Sequence, residues 1–319
     1  MASTGPQGTD TVEGVPHGRT ALRLEWPFLP KEVRALVEDE LGSPVVRAES
    51  RESGFTSGFA SVLTGENGAQ VFVKAATKVA QAEIASSYAE EIRKVVALGD
   101  LVPAPRLDWF SREQGWVVLG YEAVAARQPR RPWRPADLER ALDLAQQIAL
   151  PASRLPADLE LDPLVEDLPS FITGWEAVAE GWPHRAEAAA LAATLSDLPA
   201  DHLVHADLRD DNILLAEDGR TLACDWNWPA LGTAWQDSVD LLISAHGDGV
   251  DVEAVLAGRE VLASVDPAHV DAWIAGVCGF MLEACQRPVP PTSPYLRIHQ
   301  RWTAEAAWSW LAQRRGWKS

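Results

Sequence analysis

Cysteine is scarce in this chain, with three residues among 319. Cys224, Cys278 and Cys285 show no metal-ligand spacing, and the last two lie on one face of a predicted helix. A disulfide framework and a cysteine metal site are therefore disfavoured. We expect packed free thiols and a reducing cytoplasm as the location.

Long apolar runs are also missing. Nowhere do about 18 apolar residues follow one another, which is the minimum for a membrane-spanning helix. The first twenty residues are rich in Gly and Thr and lack the apolar segment of a signal peptide. The sequence therefore predicts no membrane partner, and we interpret residues 1–20 as a disordered tail.

Basic residues are few, with 28 Lys and Arg against 46 Asp and Glu and a formal net charge of −18. Nucleic acids bind to clusters of Lys and Arg, so the charge balance predicts no nucleic-acid partner. An acidic protein attracts cationic small molecules. Because the same charge also aids solubility, charge alone selects no substrate.

The first part of the chain reads as strands with two helices. Helical periodicity over 30–41 ends at Gly42, a suitable C-cap. Strands are predicted over 44–52, 59–64, 69–74, 106–111 and 116–121, and Asn67-Gly68 indicates a hairpin. A helix over 81–98 carries an apolar stripe of Ile84, Tyr88, Ile92, Val95 and Val96. This order predicts a small antiparallel sheet with one helix against it.

Helical patterns dominate after Tyr121. Pro129, Pro132 and Pro135 indicate a linker, and helices are predicted over 136–148, 171–179 and 185–195. Two short strands, over 212–216 and 220–224, lie within this helical part. The predicted fold class is α+β, with an N-terminal lobe of residues 21–123 and a helical C-terminal lobe of residues 124–319.

The run from His205 to Asn212, followed by three apolar residues and then Asp225, carries most of the chemical information. Asp207 can orient a hydroxyl group, while Asn212 and Asp225 can hold Mg²⁺ between phosphate oxygens. The spacing Asp-x₄-Asn, with an Asp closing a second short strand, is the pattern of the protein-kinase-like superfamily. It indicates a phosphoryl-transfer site, where positioning and charge neutralisation supply nearly all the catalysis.

The other polar residues of this run have simpler interpretations. Arg209 could reach transferring phosphate oxygens or could neutralise the neighbouring aspartates, and the sequence leaves both open. His205 is interpreted as a residue that packs and pins the loop. Asp210 and Asp211 are interpreted as a solvated acidic turn.

A second group of residues predicts nucleotide binding in the N-terminal lobe. Ser53, Gly54, Thr56 and Ser57 lie between two strands and could cradle phosphates, although an ordinary turn has the same composition.

Lys74 ends the strand Val71-Phe72-Val73-Lys74 and could contact α- and β-phosphates if a carboxylate of the next helix orients it. Glu91 is the predicted partner and Glu90 the alternative, since one helical position turns a side chain by about 100°.

Taken together, these residues resemble the aminoglycoside phosphotransferase family, whose relatives include choline and homoserine kinases. The motifs that carry the resemblance are Lys74, Glu91, Val102-Pro103-Ala104-Pro105, the run 205–212, Asp225-Trp226 and Trp235-Gln236-Asp237. The resemblance implies a two-lobed protein-kinase-like fold that binds ATP or GTP between its lobes.

For single residues, the resemblance implies a role at each matching position. Asp207 would be the catalytic aspartate, with Arg209 beside it, and Asn212 and Asp225 would bind Mg²⁺. Asp237 would brace the catalytic loop. Tyr121 and Ala123, where the lobes join, complete the predicted cofactor-binding residues with Lys74 and Glu91.

The chain departs from the pattern in three places. Ala206 stands where such enzymes often carry Gly, Trp226-Asn227 replaces the Phe-Gly of protein kinases, and only eleven residues separate Asp225 from Asp237. That interval is too short for an activation segment, so a protein kinase is disfavoured. The predicted function is transfer of a γ-phosphoryl group to a hydroxyl of a small molecule, an aminoglycoside-type antibiotic or a related metabolite. A nucleotide-binding pseudoenzyme with the same fold is the alternative.

Substrate recognition is expected from the C-terminal helices. Asp271, Glu283 and Glu305 are candidate partners for ammonium groups. Ile298, Trp302, Ala306 and Trp310 recur every four residues and are interpreted as a core ridge. Trp308 lies on the opposite side of that helix, which makes it the predicted pocket wall.

Overall fold

The N-terminal lobe is built on one antiparallel sheet. A computed structural model describes residues 11–12, 15–16, 23–51 and 57–318. β1 (Thr11–Val12) and β2 (Val15–Pro16) precede this lobe. Its elements are α1 (Lys31–Leu41), β3 (Val45–Ser50), β4 (Phe59–Gly65), β5 (Gln70–Thr77), α2 (Ala82–Leu98), β6 (Leu107–Ser111) and β7 (Trp116–Glu122). The sheet has the strand order β3-β4-β5-β7-β6. β1 and β2 pair within the segment predicted as a tail, most of which lies outside the described residues.

Local sequence explains the ends of these elements. Gly42 caps α1 in the left-handed conformation with φ +68°, as the periodicity predicted. Asn67 closes the β4–β5 hairpin, because its Oδ1 accepts the backbone N–H of Ala69 at 2.9 Å. Gly68 follows with φ +83°, a conformation that side chains disfavour. The strands and the hairpin predicted for this lobe are therefore confirmed.

Both faces of the sheet are covered, so the expectation of a single helix is wrong. Val71, Val73 and Ala75 pack beneath α1, whereas Ala76 packs with Tyr88 and Ile92 of α2. The two-residue period of a strand separates these faces. Lys74, on the same face as Ala76, is thereby directed toward α2. Within α2, Val96 is 60% exposed and does not belong to the apolar stripe.

The C-terminal lobe is mainly helical. Its elements are β8 (Ala126–Arg127), α3 (Pro135–Ile148), α4 (Leu164–Asp167), α5 (Ser170–Thr173), α6 (Arg185–Ala193), β9 (His202–Val204), β10 (Ile213–Ala216), β11 (Thr221–Ala223), β12 (Ala230–Gly232), α7 (Gln236–Gly247), α8 (Val252–Gly258), α9 (Glu260–Ala263), α10 (Pro267–Ala284) and α11 (Leu296–Arg315). None of the helices in the described ranges is long and apolar enough to cross a membrane.

Two small sheets flank the segments 205–212 and 224–229 of this lobe. β10 and β11 form the predicted hairpin, and β8 pairs with the other edge of β10. β9 pairs with β12. These ladders hold the segment 205–212 and the segment after Ala223 side by side. The division of the chain near residue 123 stays a prediction, although β7 does end at Glu122.

The helix predicted over 171–179 is broken in the structure. α5 ends at Thr173, and residues Gly174–Ala177 form a 3₁₀ turn. A Cβ added to Gly174 would lie 2.5 Å from the carbonyl carbon of Gly279 in α10. Trp175 Nε1 also donates to the Ala275 carbonyl at 2.8 Å. Because these contacts hold the segment close to the α10 backbone, it forms a 3₁₀ turn rather than a regular α-helical turn.

We predict that Gly279→Ala lowers the free energy of unfolding by about 1–3 kcal/mol through overpacking. The new Cβ would lie 2.6 Å from Cδ1 of the buried Trp175. Gly258→Ala is the matched control, since no atom lies within 4 Å of its added Cβ and alanine favours the helix. Urea unfolding of both variants measures the effects. Equal free energies would contradict the close packing of α10.

Candidate active site

A buried ion-pair network lies where the two lobes meet. Lys74 Nζ donates to both carboxylate oxygens of Glu91, at 2.8 and 2.9 Å, and also to Oδ1 of Asp225. The Tyr121 hydroxyl donates to Glu91 Oε1 at 2.7 Å. Glu91 is 1% exposed, whereas Glu90 is exposed and pairs with Arg93. The structure therefore selects Glu91 as the partner of Lys74.

The charges of this network stabilise one another. Burial alone would lower the pKa of Lys74, but the carboxylates of Asp225 and Glu91 raise it above its ordinary value. Burial tends to raise the pKa of Asp225, and the adjacent Lys74 overcomes this and lowers it. Burial raises the pKa of Glu91, against the opposing effect of Lys74. Lys74 therefore stays a cation, and Asp225, which faces the cleft, stays a carboxylate.

The segment after β9 is held by a buried carboxylate at the start of α7. Asp237 accepts the backbone N–H of His205 at 2.7 Å and that of Ala206 at 3.1 Å. Ala206 has φ +63°, the left-handed region where glycine is favoured, so the two bonds offset a backbone strain. The predicted brace by Asp237 is therefore present in the structure.

His205 ties the same segment to Cys224, the residue that follows β11. Its Nε2 lies 3.0 Å from the Cys224 carbonyl, an acceptor, so Nε2 carries the proton. The imidazole packs edge-on against Trp226 at 4.7 Å between centroids. Burial lowers the pKa of His205 to about 4, which keeps the ring neutral at physiological pH.

Asp207 and Asn212 are joined by hydrogen bonds. Asn212 Nδ2 donates to the Asp207 carbonyl at 2.8 Å and to Asp207 Oδ2 at 3.1 Å. Burial raises the pKa of Asp207 to about 6, with Arg209 opposing and Asp211 adding to the shift. A carboxyl group with this pKa is ionised at neutral pH yet accepts a proton more readily than an ordinary aspartate.

Arg209 neutralises the aspartates around it. Its Nε lies 3.4 Å from Asp207 and 3.1 Å from Asp211. Arg131, from the segment before α3, donates to Asp210 at 2.9 Å. The interpretation of Asp210 and Asp211 as a solvated turn is therefore wrong, because both carboxylates are paired with arginines and largely covered.

Two cavities meet at the Asp207–Asn212 pair. The first, of about 350 Å³, lies between the lobes and is lined by Lys74, Glu91, Tyr121, Asn212 and Asp225 among others. The second, of about 320 Å³, is lined by Asp207 together with residues of α7, α10 and α11. A molecule bound in the first cavity and a second molecule bound in the second cavity would therefore meet at the hydrogen-bonded pair of Asp207 and Asn212.

Comparison with known proteins assigns this arrangement to a family. A family model described as the phosphotransferase enzyme family matches residues 51–276, which is more than half of the chain. The chain belongs to the phosphotransferase enzyme family. This membership confirms the resemblance seen in the sequence and the prediction of a kinase-type enzyme. A search of curated proteins returned no match to the sequence.

Solved structures of such enzymes share the fold of this phosphotransferase at low identity. An aminoglycoside phosphotransferase from Alicyclobacillus acidocaldarius has 15% identity and a TM-score of 0.55, over 92% of this chain and 97% of that one. Choline kinase LicA from Streptococcus pneumoniae has 14% identity and a TM-score of 0.58, over 88% and 100%. Amicoumacin kinase hAmiN, in complex with AMP-PNP, Ca²⁺ and Ami, has 14% identity and a TM-score of 0.51, over 88% and 94%. The predicted two-lobed α+β fold is confirmed.

None of the remaining predicted cofactor-binding residues is among the described residues that line the cleft between the lobes. Ser53, Gly54 and Thr56 lie outside the described residues. Ser57 does not line the cleft, and its carbonyl accepts from Gln81 Nε2 at 3.2 Å. Ala123 lies between two residues that do line the cleft, Glu122 and Val124.

The predicted ammonium partners in the C-terminal helices lie away from the second cavity. Asp271 is bonded to Arg314 at 2.5 Å, Glu283 pairs with Arg287 at 2.8 Å, and Glu305 is exposed. None of the three lines the second cavity. Helical periodicity separates the faces of a helix, but it does not show which face meets a cavity.

Helical periodicity also assigned two tryptophans to the wrong environments. Trp308 packs in an aromatic cluster with Trp175, Trp182 and Trp317, at centroid distances of 5.3–5.8 Å. Trp302, interpreted as core, lines the second cavity instead.

Sequence patterns did not indicate Asp240 as a site residue. It lies one helical turn after Asp237, and only the packing of α7 shows that it reaches the cavity.

We predict that the buried neutral His205 makes stability fall in acid. The folded-state pKa is about 4 against 6.5 in the unfolded chain, so the unfolded state takes up a proton first as pH falls. Between pH 7 and pH 4 the wild type should lose about 3 kcal/mol more unfolding free energy than His205→Gln, which retains a donor for the Cys224 carbonyl. Urea titrations of both proteins test this, and parallel pH profiles would contradict it.

Proposed function

We propose that this phosphotransferase moves the γ-phosphoryl group of ATP or GTP to a hydroxyl of a small molecule in the reducing cytoplasm. The position of Asp207 carries the proposal. Its carboxylate lines the second cavity, and its hydrogen bond to Asn212 links it to the cleft between the lobes. A hydroxyl bound in the second cavity would meet a nucleotide phosphate at this pair.

In this proposal the nucleotide lies in the cleft between the lobes. Lys74, oriented by Glu91, would contact the phosphates, and Tyr121 and Ala123 would lie beside the rest of the nucleotide. Ser53, Gly54 and Thr56 stay proposed as phosphate contacts, whereas Ser57 does not line the cleft. The structurally similar amicoumacin kinase was solved with AMP-PNP, which supports ATP as a donor.

We assign the divalent metal, Mg²⁺, to Asn212 and Asp225. An amide oxygen and a carboxylate in one cleft suit a hard cation that takes its other ligands from phosphates and water. Among the described residues no cluster of three acidic, His or Cys side chains could hold a metal alone. Mg²⁺ bound here would neutralise phosphate charge during transfer.

The chain's own residues would carry out the remaining steps. Asp207 would accept a hydrogen bond from the substrate hydroxyl and direct its oxygen at the γ-phosphorus. The new O–P bond forms as the bond from the γ-phosphorus to the β-phosphate oxygen breaks, and the hydroxyl proton passes late to Asp207. Arg209, 3.4 Å from Asp207, would hold this carboxylate in place among its acidic neighbours.

The acceptor is proposed to be a small molecule rather than a protein. After Asp225 the chain passes through β12 directly into α7 at Gln236, without an activation segment. The second cavity is a pocket between helices. Aminoglycoside-type antibiotics and related hydroxyl metabolites form the starting panel of acceptors, as the sequence suggested.

We expect Asp207→Asn to lower kcat by about 10²- to 10⁴-fold while nucleotide still binds, because the variant cannot accept the hydroxyl proton. The measurement is nucleoside-diphosphate release with ATP or GTP and Mg²⁺ across aminoglycosides, nucleosides, macrolides and amino alcohols. Asp218→Asn, in the exposed β10–β11 turn, is the matched control.

Stimulated release that survives in Asp207→Asn would refute the role of Asp207. Nucleotide binding without stimulation by any acceptor would instead favour the pseudoenzyme.

We expect Asp225→Asn to raise the Mg²⁺ concentration needed for half-maximal turnover, because one anionic ligand is lost. Since a carboxylate ligand contributes through its charge, excess Mg²⁺ should recover part of the activity. Titration of turnover with Mg²⁺ measures this. Asp207→Asn, with its metal ligands intact, should keep the wild-type Mg²⁺ midpoint. An unchanged midpoint in Asp225→Asn would exclude the ligand role.

A further inference from the structure

The second cavity has mostly apolar walls. Phe171 and Phe280 stack at 4.7 Å with 2° between their planes, and both line it. Met281 and Trp302 line it from α10 and α11. Trp228, 58% exposed, also borders it. Such walls bind apolar carbon surface and the faces of cations, and they offer few partners to a ligand with polar groups all round.

The two arginines that line this cavity are already paired with aspartates. Arg131 donates to Asp248 at 2.6 and 2.9 Å and to Asp210 at 2.9 Å, with its side chain 2% exposed. Arg209 is bonded to Asp211 and lies near Asp207. Within the part of the chain that the structure describes, the cavity therefore presents no arginine dedicated to an anionic ligand.

Asp240 is the carboxylate of this cavity that lacks a cationic partner within the described residues. Its Oδ1 accepts Nε1–H of the buried Trp273 at 2.9 Å, and no described residue donates to Oδ2. Burial raises the pKa of Asp240 well above its ordinary range, and the nearby Asp237 and Asp207 add to the shift. An ionised carboxylate in this position is stabilised only when a cation meets it.

We infer that Asp240 is a specificity-determining residue that binds an ammonium group of the acceptor. The acceptor is then an amino alcohol with one cationic group near the hydroxyl and an apolar body. Asp207 takes the hydroxyl, Asp240 takes the ammonium, and the aromatic walls enclose the remainder. This inference rests on the proposed function, since it names the substrate class of the same site.

The composition of the cavity distinguishes this class from polycationic acceptors. Each ammonium group of a polycation that enters the cavity needs an anionic partner or water. Three described aspartates line the cavity, and of these Asp207 takes the hydroxyl and Asp210 is engaged by Arg131. A ligand with one ammonium group is therefore matched by Asp240, whereas further charges would lie against Phe280 and Met281, with no other described carboxylate to meet them.

Calorimetric titration with two matched probes tests the inference without requiring turnover. Phenylethanolamine carries an ammonium group, a hydroxyl and a phenyl ring, and styrene glycol replaces the ammonium group with a hydroxyl. We expect wild type to bind the amine about tenfold more tightly than the glycol. In Asp240→Asn this preference should fall below about threefold, because the variant offers no anion. Asp197→Asn, an exposed carboxylate outside the cavity, should keep the wild-type preference.

Several outcomes would overturn the inference: equal binding of the two probes, an amine preference that persists in Asp240→Asn, or tighter binding of kanamycin than of phenylethanolamine. The circular dichroism spectrum and the melting temperature of Asp240→Asn establish that the variant is folded. Turnover in wild type and Asp207→Asn is measured separately. Amine binding that depends on Asp240 without turnover would refute the proposed transfer reaction and leave the ligand class intact.

Discussion

The buried contact of Lys74 with Glu91 and Asp225 is the interaction on which the rest of the site depends. It joins a strand and a helix of one lobe to the end of β11 in the other. A buried charge without partners is strongly unfavourable, so each of these residues holds the others in position. Tyr121 adds a donor to Glu91 from β7, at the strand that leads out of the lobe. The cleft therefore opens at a defined place, with a cation and a carboxylate already facing it.

A second constraint acts on the backbone. Ala206 and Asp225 both have positive φ, at +63° and +69°, conformations that cost energy for residues other than glycine. Asp237 holds the first through two backbone bonds, and His205 ties the two segments together through the Cys224 carbonyl. Strained residues thus lie where the proposed base and metal ligand are, supported by buried hydrogen bonds.

The site itself is rich in aspartates, and several of them are paired with arginines. Arg131 and Arg209 are used inside the protein to neutralise the aspartates of the segment 207–211. Asp240 is left with the Trp273 indole as its described partner, at the side of an aromatic cavity. The formal net charge of −18 could not show this, because it does not distinguish paired carboxylates from one that faces a ligand.

The sequence by itself determined the order of strands and helices in the first lobe, through short-range signals such as strand alternation and the Asn67-Gly68 turn. Its resemblance to a known family implied the two-lobed α+β fold. The spacing of polar residues, together with that resemblance, proposed Lys74, Glu91, Asp207, Asn212 and Asp225 for the site. The tertiary structure alone decided which faces of α7 and α11 meet the cavity. That choice depends on packing between helices distant in sequence, so periodicity misassigned Trp302 and Trp308 and gave no sign of Asp240.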